Sequence, residues 1–297
     1  MSKVFYSKDP SKVVDLFTTA GLDKLVVPGE EVALKIHFGE PGNNAYLKPA
    51  LVNGIRDKVA ALGGKPFFTD CNCLYKGPRH LTADHLKVAR EHGFDPVRIP
   101  EEDDQEAVEV GLKHFKSVNL GGTISRAKTI IALTHFKGHE LTGFGGTLKN
   151  IGMGSGSRRG KLRMHQECQG CPQVKSCRRN ITLEACWVGT PEAVQEKIVE
   201  YVLGAVRGKK AGYVTFITDV SPACDCYPHN DPPIVPDLGV LASNDPVAID
   251  QAALDLVNQA AGRDIFKALY PEADYTVQLK YAEQIGLGSR KYELMLS

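Results

Sequence analysis

The 297-residue sequence has almost no excess charge of either sign: 36 Lys and Arg stand against 35 Asp and Glu, a net charge of +1. That balance gives no electrostatic basis for binding nucleic acid or an anionic membrane. Long apolar runs are also missing. None approaches the ~18 residues of a membrane span, and the start, Met1 to Pro10, lacks the apolar stretch of a secretory signal. The expectation is a soluble cytoplasmic protein, in which disulfides do not serve as a framework. Internal repeats and low-complexity segments are absent too, which argues against a solenoid or a disordered chain.

What is present is a hydrophobic content of 42%, enough for a real core, and a regular alternation of helix and strand signals. Helix patterns run from Ser11 to Ala20, Lys48 to Leu62, Thr82 to Glu91, Pro191 to Val206 and Val247 to Ala261. Strand patterns run from Glu31 to Ile36, Lys65 to Thr69, Lys128 to Thr134, Gly212 to Ile217 and Leu238 to Ala242. Such alternation implies an α/β fold with a mainly parallel sheet flanked by helices. The reading is a single α/β domain, possibly of two lobes (1–141 and 187–297), around a glycine- and cysteine-rich insert at 142–186. From Thr142 to Ala185 neither period is clear. A segment that long without regular structure is usually functional, or held by something other than a core.

Eight cysteines are the strongest chemical signal. Four lie together as Cys168-x2-Cys171-x5-Cys177-x8-Cys186, and two C-x-C pairs, Cys71/Cys73 and Cys224/Cys226, each follow an apolar run. Close-spaced thiolates bind a soft metal, either zinc or an iron–sulfur cluster. Zinc ribbons favour two C-x2-C knuckles and only one occurs here, whereas a cluster, being larger, accepts looser spacing. Cys224 and Cys226 are candidate ligands of a possible second metal site.

In a parallel sheet the strands finish on one edge, where ligands bind. The strand ends here carry His37; Asp70, Cys71 and Cys73; His135 and His139; and Asp219, Cys224, Asp225, Cys226 and His229. A shared pocket is expected, with His135, His139, Lys149 and Asp70 as candidate catalytic residues. The run Gly143-Phe144-Gly145-Gly146 allows close backbone approach to a ligand, and Lys149 is placed to meet an anionic group. Gly143, Gly145, Gly146 and Asn150 are therefore candidate cofactor-binding positions. The run lacks the G-K-[ST] ending of a phosphate loop and the G-x-G-x-x-G of a dinucleotide turn, so nucleotide binding is a minor reading.

Several of these motifs are recognisable together. His135-Phe-Lys-Gly-His139, Gly143 to Gly154, Thr69 to Tyr75, Cys224-Asp225-Cys226 and Asp237 to Asp250 resemble the signature of the "domain of unknown function 362" family over most of the chain. The resemblance implies a ferredoxin-like insert with [4Fe-4S] cysteines at Cys168 to Cys186, and hence an iron–sulfur redox protein of unassigned reaction. Two departures stand out. The spacing is not the C-x2-C-x2-C-x3-C-P of bacterial ferredoxins, which points to a shortened insert with one cluster. The family also tends to have threonine where this chain has Cys71 and Cys73. The stretch from His135 to Gly154 is more loosely similar to the lactate racemase family, which uses a nickel-pincer cofactor; that likeness implies that His135, His139 and Lys149 line a cofactor or substrate pocket.

The functional expectation is an oxidoreductase passing electrons between a [4Fe-4S] cluster and the strand-end pocket. The alternatives are a non-catalytic electron carrier and a zinc-stabilised isomerase or hydrolase. The partners expected are a small-molecule substrate or a redox protein, with no nucleic acid and no membrane; an oligomer is compatible with the sequence.

Overall fold

The computed structural model describes all 297 residues. In chain order the strands are β1 (Ser2–Ser7), β2 (Glu31–Lys35), β3 (Lys65–Thr69), β4 (Val97–Arg98), β5 (Gln105–Glu109), β6 (Ser117–Gly121), β7 (Thr129–His135), β8 (Lys137–His139), β9 (Gly143–Gly145), β10 (Lys210–Ile217), β11 (Gly239–Ser243) and β12 (Tyr292–Leu296). Eight of them form one sheet in the order β12-β1-β11-β10-β7-β2-β3-β4. From β4 across to β10 every neighbouring pair is parallel. β11 runs antiparallel to both β10 and β1. The remaining strands form two small antiparallel ribbons, β5 with β6 and β8 with β9. This is the mainly parallel α/β architecture that the alternating pattern implies.

The continuous apolar runs are buried on both faces, as parallel strands must be when helices cover each side. Successive residues serve opposite layers. Ala33 and Ala132 pack with the helices Thr147–Ser155, Pro191–Val206, Pro246–Ala261 and Thr276–Gln284; their neighbours Leu34 and Leu133 pack with Val13–Thr19, Pro49–Ala61 and Thr82–Glu91. Strands from before residue 141 and after residue 187 sit side by side in the sheet, with β7 against β10 and β1 against both β11 and β12. No helix is long and apolar enough to cross a membrane.

The segment expected to be irregular is regular over its first half. It contains β9 and the helices Thr147–Ser155 and Arg158–His165, and only the stretch after His165 is mostly loop, broken by one helical turn at Arg179–Thr182. Glycines hide the helical period here. A Cβ on Gly152 would stand 2.3 Å from the Ile198 carbonyl oxygen, and one on Gly160 would stand 2.3 Å from that of Asn119. Close helix contact therefore requires glycine where an apolar residue would have shown the pattern. The strands β1, β5, β6 and β12 and the helices Ile265–Leu269 and Thr276–Gln284 also escaped the sequence pattern. β5 is largely exposed and mostly polar, so it carries little hydrophobic alternation.

Asp245 ties the two chain ends to this frame. Its Oδ1 accepts the Val247 and Ala248 amides, capping the helix Pro246–Ala261 behind an N-terminal proline. Its Oδ2 accepts the Ser2 hydroxyl at 2.6 Å and the Ser289 amide at 2.9 Å. Asp245→Ala is expected to lower stability by about 2 kcal/mol, because a helix cap and two further hydrogen bonds are lost together. A urea midpoint unchanged from the parent would contradict that role.

Candidate functional site

The helix Thr147–Ser155 begins where the glycine run ends, and a side chain from another helix caps it. Asp250 accepts the Thr147 amide at 2.6 Å and the Leu148 amide at 2.9 Å. A Cβ on Gly146 would lie 2.5 Å from the Asp250 carboxylate, and one on Gly143, whose φ is +69°, would lie 2.6 Å from Tyr275 Cβ. These glycines let the turn press against protein, and neither they nor Gly145 lines the cavity described below. Asn150, one turn into the helix, spans two strand ends. Its Nδ2 donates to the Leu133 carbonyl at 3.1 Å and Thr134 Oγ1 at 3.0 Å, and its Oδ1 accepts from Lys35 at 2.9 Å. Lys35 in turn pairs with Asp70 at 2.9 Å, wholly buried.

Above this floor, at the carboxyl ends of β2, β3 and β7, lies a cavity of about 800 Å³. Its wall includes Lys35, Arg79, Lys137, Lys149 and Lys161, together with His37, His139 and His165. Most of the cations have a partner. Arg79 bonds Glu40 at 2.7 Å, Lys137 pairs with Asp225 at 3.0 Å, and Lys149 Nζ lies 3.0 Å from Cys224 Sγ. Lys161 has only the carbonyls of Cys71 (3.1 Å) and Gly156 (2.8 Å), and burial holds its pKa below the usual lysine value. Burial also lowers all three histidines: His37 and His139 well below the ordinary value, and His165 to about 3, with nearby cations adding to the effect. The cavity is thus lined by neutral imidazoles and by one buried ammonium with no anionic partner. That combination suits a small anion.

The residues singled out from sequence fall into distinct places. His139 lines the cavity, and its Nδ1 accepts the Leu141 amide, leaving Nε2 as the protonated nitrogen. His135 stands behind the wall: its Nδ1 meets Asp225 at 2.9 Å and its Nε2 meets the Thr218 carbonyl at 2.8 Å, so no ring nitrogen is left for a ligand. Asp70 lines the cavity, but burial, which would raise it, is outweighed by Lys35, His37 and Lys161. Its carboxyl is held well below the usual range, making it a weak base. Cys71 is pushed up to about 11 by burial and donates to the Ser155 carbonyl; Cys73 is raised for the same reason and donates to that of Tyr75. Cys224 behaves in the opposite way. The neighbouring Cys226 thiol and the Lys149 ammonium hold it well below the ordinary thiol value, despite burial.

Cys168, Cys171, Cys177 and Cys186 are free thiols in the loop after His165, partly or fully exposed. No group of three or more His, Cys, Asp or Glu is gathered as a metal-holding set. The Cys168 thiol is raised by burial, and further by the nearby Cys186, Cys177 and Cys171. The loop returns to the cavity at once. Trp187, next to Cys186, lines it and packs edge-on against His165 with ring centroids 4.5 Å apart. His165 Nδ1 is buried without a hydrogen-bond partner. Sequence reasoning missed His165, Lys35, Arg79, Lys137 and Lys161 as lining residues. Lysines at strand ends and within a concealed helix give no local signal that they point inward.

The model of a family described as "domain of unknown function (DUF362)" matches residues 32–255. Among solved structures, a similarity is found to the lactate racemase apoprotein from Thermoanaerobacterium thermosaccharolyticum, with 14% identity and a TM-score of 0.41 over 74% of this chain and 51% of that one. Another is found to a protein from Thermotoga maritima, with 12% identity and a TM-score of 0.47 over 87% of this chain and 61% of that one. The chain therefore spans about half to three-fifths of the length of these structures. No curated protein matches it. The family match extends from β2 through most of the helix Pro246–Ala261 and takes in the glycine run, the cysteine loop and Asp250; on that extent the chain belongs to the DUF362 family.

Proposed function

We propose that this protein is a cytoplasmic iron–sulfur oxidoreductase acting on a small organic anion. The observation that carries the reading is the join between the two chemical regions: the loop holding four thiols leads directly, through Trp187, into the wall of a cavity rich in acid–base groups. The donor set fits a cluster. Four thiols on one loop, with Glu184 the one carboxylate and no imidazole between Cys168 and Cys186, are the soft ligands a [4Fe-4S] centre takes. Cys168, Cys171, Cys177 and Cys186 would hold it, and when bound it would supply or accept single electrons. A reducing compartment is part of the proposal, since ligand thiols must stay reduced.

The chain's own residues account for the rest. Lys161 offers its remaining N–H to an anionic group such as a carboxylate. His139 presents an Nε2–H donor, and the neutral His165 ring, whose Nδ1 has no partner, offers a hydrogen-bond acceptor to a bound molecule. Lys35, Asp70 and Asn150 fix the floor. The exposed side of the loop suits a redox protein partner. A cavity of this size argues against a mere electron carrier, which needs only an exposed cluster. Zinc in the same four thiols would give a colourless protein.

Protein purified without air is expected to be brown, with about four iron and four sulfide per chain. Cys171→Ser should abolish the visible absorption and lower the melting temperature, because ligand loss removes metal-linked folding energy. A colourless zinc protein, or an unchanged spectrum in the variant, would defeat the assignment. Anion binding should depend on pH. With malonate as probe, affinity is expected to fall as pH rises through the depressed pKa of Lys161, where the ammonium loses its charge. Lys161→Met should weaken binding at neutral pH by tenfold or more and flatten that dependence. Calorimetric titration across pH checks both; equal affinity in the variant would remove Lys161 from the site.

A further inference from the structure

The pair Cys224/Cys226 has a setting that neither the cluster loop nor the other C-x-C pair shares. The Cys71 and Cys73 thiols each donate to a backbone carbonyl. Cys224 instead has the Lys149 ammonium 3.0 Å from its sulfur, and the Cys226 thiol acts as its hydrogen-bond partner. The loop that carries them is held by several contacts. Asp225, between the two, points away into His135 and Lys137 at 2.9 and 3.0 Å. Tyr270 bonds the Pro222 carbonyl and Tyr75 bonds that of Cys226. Gly138 packs so closely on Pro222 that a Cβ would overlap its carbonyl oxygen. The Tyr227 amide donates to the Cys224 carbonyl at 3.1 Å, so the two cysteines sit in one tight turn with their thiols as hydrogen-bond partners. Cys224 is fully buried, while Cys226 forms part of the cavity wall.

We propose that Cys224 and Cys226 are a redox-active dithiol that reduces small organic disulfides entering the cavity. The step follows from the positions. Cys226 passes its proton to the Cys224 sulfur and attacks one sulfur of R–S–S–R; a Cys226–S–R bond forms, the S–S bond breaks and RS⁻ leaves. The Cys224 sulfur, giving up its proton to that RS⁻, then attacks Cys226 Sγ and displaces the second RS⁻. The substrate gains two electrons and the pair loses them as its disulfide, with one proton carried over to the first thiol released. Lys149 stabilises the reduced pair, because its ammonium faces a thiolate but gains nothing from a disulfide. The inference goes beyond the proposed cluster function and stands on the cavity alone.

The test is a redox titration of the full-length protein in anaerobic buffers of 2-hydroxyethyl disulfide and mercaptoethanol, followed by alkylation and mass measurement of the peptide holding residues 224–226. The expected result is conversion of that peptide to an internal disulfide at a defined buffer ratio, while Cys71 and Cys73 stay alkylatable. Lys149→Gln should move the midpoint at least tenfold toward the disulfide, and Cys226→Ser should give no internal bond. In Cys171→Ser the titration should be unchanged although iron is lost, so failure of the pair and failure of the cluster are read separately. A peptide that stays fully alkylated at every ratio, one that stops at a mixed disulfide with the probe, or one shielded by a bound metal would each overturn the proposal.

Discussion

The carboxylate of Asp250 against the amides of Thr147 and Leu148 is the contact on which the site depends. A helix start buried in protein leaves N–H groups that water cannot reach. Here a side chain from the helix Pro246–Ala261 supplies the acceptor, and Gly146 leaves room for it. Burial pushes the Asp250 carboxyl up to about 7, while the two amides pull it down. The helix thus fixed carries Lys149 to Cys224 and Asn150 to the ends of β2 and β7. Without the cap, the turn that aims both residues would have no partner for its backbone.

The site's electrostatics follow from pairing at depth. Buried cations persist where an anion stands beside them, and breaking one such pair strands the other charge. Lys35 with Asp70, Arg79 with Glu40 and Lys137 with Asp225 are of this kind. Lys149 is held by a sulfur, which gives the two C-x-C pairs of the chain different chemistry despite identical spacing. Lys161 alone among these lysines lacks an anion, so the cavity carries the charge that a ligand would neutralise.

Much of the fold was legible because parallel strands buried on both faces are continuous apolar runs, as β7 is, and because capped helices such as Thr82–Glu91 and Pro191–Val206 announce their ends. Exposed strands and glycine-packed helices were not legible: β5 has little to bury, and Gly152 and Gly160 replace the residues that would have marked a period. At the site, the topology rule brought Asp70, His139 and the C-x-C loops to one edge of the sheet. It did not distinguish His139, which faces the cavity, from His135, which is held by Asp225 and Thr218. The role of Gly143 and Gly146 in packing against Tyr275 and Asp250 was equally hidden, since a glycine run looks the same whether it approaches a ligand or a neighbouring side chain. His165 lay in a helix whose pattern was masked, and its place beside Trp187 is a matter of tertiary structure.

On the proposed reading, the loop from Cys168 to Cys186 holds iron at the rim of the cavity. Anomalous diffraction at the iron edge from crystals grown without air locates that iron. The expected map has one strong peak enclosed by Cys168, Cys171, Cys177 and Cys186, close to Trp187, and none between Cys224 and Cys226. A map with no iron peak in that loop, or with its peak at the Cys224/Cys226 pair, would contradict it.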